Sequence, residues 1–138
     1  MTARVSVNIN LALAEELSRG AVERGVRAAT IDAKNITIDL LSRPGKGEVY
    51  RRGKSVVHRA SAPGDPPAPD TGRLRGSTQG EVFATSDGAL GIVSVNTEYA
   101  AALELGTEKM APRPYISRLA TDYAARLQAV FARFARLP

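Results

Sequence analysis

Four prolines stand within residues 60–70 (Pro63, Pro66, Pro67 and Pro69), and they constrain this chain more than any other feature. Each fixes φ and removes a backbone donor, so the segment enters neither a helix interior nor the middle of a sheet. It shows neither helical nor strand periodicity and reads as an extended, partly stiff arm, ordered on its own chain or on a partner. Regular structure must therefore be built on either side of it.

Before the arm, residues 11–42 read mostly as helix. Val22, Val26, Ala29, Ala33, Ile36 and Leu40 recur at alternating spacings of four and three, which sets them on one helical face. Asn8 or Asn10 is placed to cap its start. Gly20 and Gly25 each weaken a helix by about 1 kcal/mol relative to Ala and mark a bend or a close helix contact. Pro44 and Gly45 end the segment. Residues 48–51 and 55–59 follow as short strands joined by Arg52-Gly53-Lys54, a basic hairpin.

After the arm, Asp70 or Thr71 is positioned to cap a short helix containing Leu74. Residues 81–85 and 90–95 form a second strand pair with Ser86-Asp87-Gly88 as its turn. Thr97 is expected to cap a helix ending at Leu105, with Glu98 in a first turn where a carboxylate suits the helix dipole. Gly106 stands where a C-cap glycine belongs. Pro114 suits the first turn of a last helix, whose apolar stripe is Ile116, Leu119, Tyr123, Leu127, Val130 and Phe134, widened by Phe131. Phe131, Phe134 and Leu137 bring large apolar groups to the chain end. Their main role is the chain's own core, and docking on a neighbouring subunit is the lesser reading.

The expected fold class is α+β. A small antiparallel sheet from two hairpins packs with a long N-terminal helix, a short middle helix and a C-terminal helix, in one domain of 138 residues.

The formal charge of +5 is unevenly placed: residues 43–75 hold eight Lys or Arg and three acids, and elsewhere bases and acids balance at eleven each. Arg51, Arg52, Lys54, Arg59, Arg73 and Arg75 are thus the candidates for contact with DNA phosphates or an acidic protein face. The bland alternative is a solvated loop whose charge serves solubility. Arginine outnumbers lysine, and its planar fork suits carboxylates and phosphates alike. In this stretch Tyr50 is the sole aromatic for stacking on a base, and neither zinc-finger spacing nor a recognition helix is visible. On the nucleic-acid side, only non-specific phosphate contact is supported.

Catalysis finds little to work with. There is one His, His58, and no Cys, so disulfides and thiolate metal sites are excluded. Acid–base and metal chemistry need clusters of such groups. The serines lack a nucleophile elbow, and Gly45 and Gly47 lack the rest of a phosphate loop. Asp65 and Asp70 flank Pro66-Pro67 as turn and cap residues. The expectation is a non-enzyme with no catalytic residue, metal or cofactor. No apolar run approaches the ~18 residues that cross a bilayer, and residues 1–10 lack the pattern of a signal peptide. A protein made in the cytoplasm, with no membrane partner, is expected.

Two motifs remain. The first comprises Ser61, Pro63, Gly64, Pro66, Pro67, Asp70, Thr71, Gly72 and Leu74; the second comprises Tyr99, Ala100, Glu104, Gly106, Thr107, Arg113, Pro114 and Tyr115. In order and spacing they resemble a family of small neck, or tail-component, proteins of long-tailed bacteriophages, prophages and gene-transfer particles. The likeness covers residues 53–116, with Leu105 where the family often has Phe.

The resemblance implies a structural virion protein, variously termed tail-completion, tail-terminator or head–tail joining. It implies a closed homo-oligomeric ring of about six copies around the DNA channel, since rigid subunits close rings. Its implied partners are the adjoining head-closure and tail proteins, with non-specific contact to genomic DNA, and it implies no cofactor. It marks Pro66, Pro67, Thr71, Gly72, Leu74, Tyr99, Glu104, Gly106, Thr107, Arg113 and Pro114 as structural motif residues. The residues also leave open a second class, a small basic module that binds nucleic acid without sequence preference.

Overall fold

The computed structural model describes residues 3–7, 19–52, 56–69, 72–86 and 88–135. Its longest element is α1 (Arg19–Leu40), and all six residues of the expected stripe are buried on it. Asn8, Asn10 and residues 11–18 lie outside the described residues. Thr30 and Thr37 are buried on the same face, and each hydroxyl donates to the carbonyl four residues back, so neither polar group is stranded. Gly25 is a close helix contact: a Cβ there would lie 2.5 Å from the Phe131 ring. Gly20 is not, since it is exposed and would meet only the Arg24 guanidinium.

The main sheet is antiparallel with order β1 (Ala3–Val7), β5 (Gly88–Val95), β4 (Thr78–Thr85). Its register sets Val5 and Gly80 either side of Val93. The turn is tighter than expected, since Gly88 already pairs with Thr85; Asp87 lies outside the described residues. β2 (Val49–Arg52) and β3 (Val56–Arg59) form the other hairpin, in a sheet of its own. The α+β class with two antiparallel hairpins therefore holds. The hairpins do not share a sheet: β5 takes β1 as its second neighbour, and among the described residues β2–β3 pairs with neither edge.

The short helices are α2 (Arg73–Gly76), α3 (Ala100–Leu105) and α4 (Arg118–Thr121), followed by α5 (Ala124–Ala135). Three expectations about their ends need correction. The residue capping α2 is Gly72, at φ 79° with no side-chain cap bond; Asp70 and Thr71 lie outside the described residues. Thr97 does not cap α3, whose N-cap is Tyr99; its hydroxyl is buried without a hydrogen-bond partner among the described residues. Nor does Pro114 begin a helix. The helix starts only at Arg118, and the amides of Tyr115, Ile116 and Ser117 before it are bonded to the Glu104 carboxylate.

The expected last helix is also broken at Asp122–Tyr123, where the Tyr123 amide reaches back five residues to the Arg118 carbonyl. The offset keeps Leu119 and Leu127 in one core with Leu40, Val93, Val95 and Tyr115. A second cluster joins Val22, Val26 and Ala29 of α1 to Phe131 and Ala135 of α5. Full burial of each large apolar side chain here contributes about 1.5–3 kcal/mol. Phe134, expected in the stripe, is instead 49% exposed, and Ala135 takes the inward place. A bidentate pair, Arg126 to Asp32 at 2.8 and 2.9 Å, ties α5 to α1 at the surface.

Candidate functional site

The described parts of the two motifs meet, and the side chains of Glu104, Thr107, Arg113 and Tyr115 all bind backbone. Glu104 lies near the end of α3. Its Oε2 accepts from the amides of Tyr115 (2.9 Å) and Ile116 (3.0 Å), and its Oε1 from that of Ser117 (3.2 Å). A carboxylate taking several backbone donors is a strong, charge-assisted clamp. The Tyr115 ring is fully buried, and its hydroxyl donates to the Ala100 carbonyl at 2.9 Å. Burial, and then the Glu104 charge, push the Tyr115 hydroxyl well above the usual phenol pKa.

Between these anchors Gly106 turns the chain with φ 77° and ψ 175°, donating to the Ala102 carbonyl at 2.8 Å. Thr107 and Met110 close the following turn as a β-bridge, and the Thr107 hydroxyl accepts from the Lys109 amide. The Arg113 amide then returns to the Leu103 carbonyl at 2.7 Å. Gly106 thus has the positive φ expected of it, and Glu104, Thr107 and Arg113 around it are parts of a tight backbone path.

Two arginines latch the proline-rich arm to that path. Arg113 donates through Nη1 to both the carbonyl and the hydroxyl of Ser61, which is buried. Arg118 donates through Nη2 to the Gly64 carbonyl at 2.7 Å and through Nε to the Pro114 carbonyl at 3.0 Å. The Gly64 amide adds a bond to the Pro112 carbonyl at 3.1 Å. Pro67 is buried and Pro66 half-buried. The arm is thus ordered on its own chain. Its latch residue Arg118 went unnoticed in the sequence, because its partner is 54 residues away and nothing local signals it.

Arm, hairpin and helices enclose a cleft of about 880 Å³. One wall is the arm, with Pro63, Pro67 and Pro69; another is the β2–β3 hairpin, with Tyr50 and its cross-strand partner His58. Leu41, Leu74 and Leu103 line it as well, Leu74 and Leu103 half-buried against the main core. Its charged lining among the described residues is Arg73, Arg75, Lys109 and Arg113 against the single carboxylate of Glu48. That carboxylate accepts the Tyr50 hydroxyl at 2.7 Å, which raises the Tyr50 pKa.

Of the six expected contact residues, Arg59, Arg73 and Arg75 have described side chains, and each has a different partner. Arg73 pairs with Glu98 at 3.5 Å and lies over the Tyr99 ring at 5.9 Å from its centroid. The Glu98 carboxyl sits below its ordinary range, through its own backbone amide first and the Arg73 charge second. Arg75 is exposed on the cleft rim, with one long bond to the Ser42 hydroxyl at 3.4 Å. Arg59 is exposed at the end of β3, and its guanidinium reaches the Gly47 carbonyl. Arg51 and Arg52 are placed by their backbone pairing to Val57 and Val56, while Lys54 lies outside the described residues. Lys109, which the sequence did not single out, lies with Arg73 and Arg75 at the cleft.

Among the described residues no three His, Cys, Asp or Glu side chains gather as metal ligands, and no helix is long and apolar enough to cross a membrane. Comparison with protein-family models, with characterised proteins and with solved structures finds no match.

Proposed function

We propose that this chain is a structural ring subunit of a phage-type neck, or tail-completion assembly, acting by assembly rather than by chemistry. One observation carries the reading. The described parts of the two motifs that resemble that family meet in a single latched unit, in which Glu104, Arg113 and the neighbouring Arg118 bind backbone. A ring subunit needs such stiffness, because small angular errors prevent closure.

Two further features suit subunit contacts. Leu105, in the second motif, is 74% exposed at the end of α3. Among the described residues β1 and β4 each pair on one side only, which leaves two different edges for a head-to-tail contact. On this reading the partners are further copies of the chain and the proteins of the adjoining head and tail layers, and the protein resides in the virion.

Light scattering of the purified protein, followed by negative-stain electron microscopy, tests the proposal. Rings with a hole wide enough for duplex DNA are expected, and their symmetry gives the copy number. A strictly monomeric protein that is also absent from purified particles sinks it. Duplex binding that falls steeply with salt and is lost in an Arg51→Ala, Arg52→Ala double variant would instead favour the basic nucleic-acid module.

A further inference from the structure

We infer that the cleft between the proline arm and the β2–β3 hairpin docks an extended acidic segment of another protein, one carrying apolar side chains among its carboxylates. The inference deepens the ring reading by placing a partner, and it stands without it, because a single copy of the chain contains the whole cleft.

Size and lining come first. A volume of about 880 Å³ lies in the range of built binding pockets. Leucines, prolines and two tyrosines supply rigid apolar area that loses little entropy on binding. Tyr50 is 52% exposed although it lines this concave surface, so the wall has a large ring with room for a ligand.

Charge then selects the ligand's sign. Arg75 and Lys109 have no carboxylate within ion-pair distance among the described residues. Glu48, the one acid of the lining, is engaged by Tyr50. Among the described residues the rim therefore carries uncompensated positive charge at Arg75 and Lys109, around an apolar interior.

Hydrogen-bonding capacity separates a peptide from duplex nucleic acid, which presents its backbone. The arm's prolines donate nothing, so at those positions the backbone can offer a ligand only carbonyl oxygens. A peptide brings N–H groups for carbonyls and carboxylates for the cationic rim. A phosphodiester backbone brings acceptors alone and has no use for the leucine-lined interior. The cleft's mixture of apolar surface, acceptors and peripheral cations matches an acidic peptide on all three counts.

The test selects peptides from a displayed random dodecapeptide library on the intact chain, then measures the synthesised winners by amide NMR titration at low salt. Enrichment of Asp and Glu beside Leu, Ile or Phe is expected, with shifts centred on Tyr50, His58, Arg75, Tyr99 and Lys109. Arg75→Glu with Lys109→Glu should weaken binding at least about tenfold, because rim charges set steering and sign. Tyr50→Ala, on the opposite wall, should weaken it severalfold with an unchanged melting curve.

No enrichment, basic winners, indifference to both variants, or displacement of the winners by short duplex DNA would each overturn the inference. Failure here is distinct from failure of the ring. A monomer that binds acidic peptides loses the ring and keeps the cleft, and a ring that ignores them does the reverse.

Discussion

Replacing Gly106 with Ala puts a methyl group where the chain has no room for one. At φ 77° and ψ 175° the backbone lies in a region nearly closed to L residues, a strain of about 1–3 kcal/mol. The new Cβ would also stand 2.8 Å from the Pro112 nitrogen and 2.9 Å from the Met110 oxygen. Those atoms are pinned by the Thr107–Met110 bridge and the bond from the Arg113 amide to the Leu103 carbonyl, so they cannot swing aside. Crowding of this kind adds a further 1–3 kcal/mol or so, for a total of about 4 kcal/mol. In a domain of this size that corresponds to a melting temperature lower by roughly 12–20 °C.

Three other glycines separate the two causes. Gly64 has φ 87° and open space within 4 Å of where a methyl group would stand, so Gly64→Ala carries strain alone, about 1–2 kcal/mol. Gly25 lies within α1 with Phe131 against it, so Gly25→Ala carries crowding set against a gain of about 1 kcal/mol in helix propensity. Gly76 has neither problem, and Gly76→Ala should be neutral or slightly stabilising. Thermal unfolding by circular dichroism should rank Gly106→Ala as the most damaging and Gly76→Ala as the least. A Gly106→Ala melting point within about 3 °C of the parent would refute the backbone account of the second motif.

Three more outcomes follow from the same region. Glu104→Gln replaces with a donor either the acceptor of the Ser117 amide or that of the Tyr115 and Ile116 amides, and should cost about 2 kcal/mol in denaturant unfolding; an unchanged midpoint would show the carboxylate clamp to be incidental. Arg113→Ala with Arg118→Ala frees the arm, so a protease specific for Asp should cut at Asp65 about tenfold faster or more while the core stays folded. Equal cutting would mean the arm is held by its apolar contacts. The raised Tyr115 pKa makes the unfolded chain the weaker proton binder at high pH, so its contribution is intact below about pH 10 and is lost as pH rises beyond it. Tyr115→Phe should cost about 1 kcal/mol near neutrality and flatten the alkaline arm of a stability–pH profile; an alkaline arm of the same steepness would assign it to other groups.

How far the sequence could be read depended on the range of the force involved. The α1 stripe was legible because helical periodicity is local and each turn repeats it. The β4–β5 hairpin was legible because its turn residues sit between its strands. β1 carries a signal too, since Ala3, Val5 and Val7 alternate with Arg4 and Ser6. That signal spans five residues and gains meaning only from β5, whose partner residues lie far along the chain. The break at Asp122–Tyr123 and the inward turn of Ala135 in place of Phe134 were hidden for the opposite reason. A perfect helical stripe can be continued on paper, whereas the chain must also reconcile two helices with one core.

The arginines show why the site was harder still. Counted along the chain, Arg73, Arg75 and Arg113 are equal units of positive charge, and charge alone left DNA phosphates and an acidic protein face equally open. In the fold they do different work. Arg113 and Arg118 are ligands for carbonyls of the arm, and their charge strengthens bonds within the chain. Arg73 is held by Glu98 and Tyr99. At the cleft, among the described residues, what remains to face a partner is the rim residue Arg75 with Lys109, the latter lying outside the densest basic stretch. Net charge is conserved between sequence and structure, but its availability is set by which carbonyls and carboxylates the fold brings near. A motif rich in arginine and proline is therefore as much a statement about backbone geometry as about a negatively charged partner.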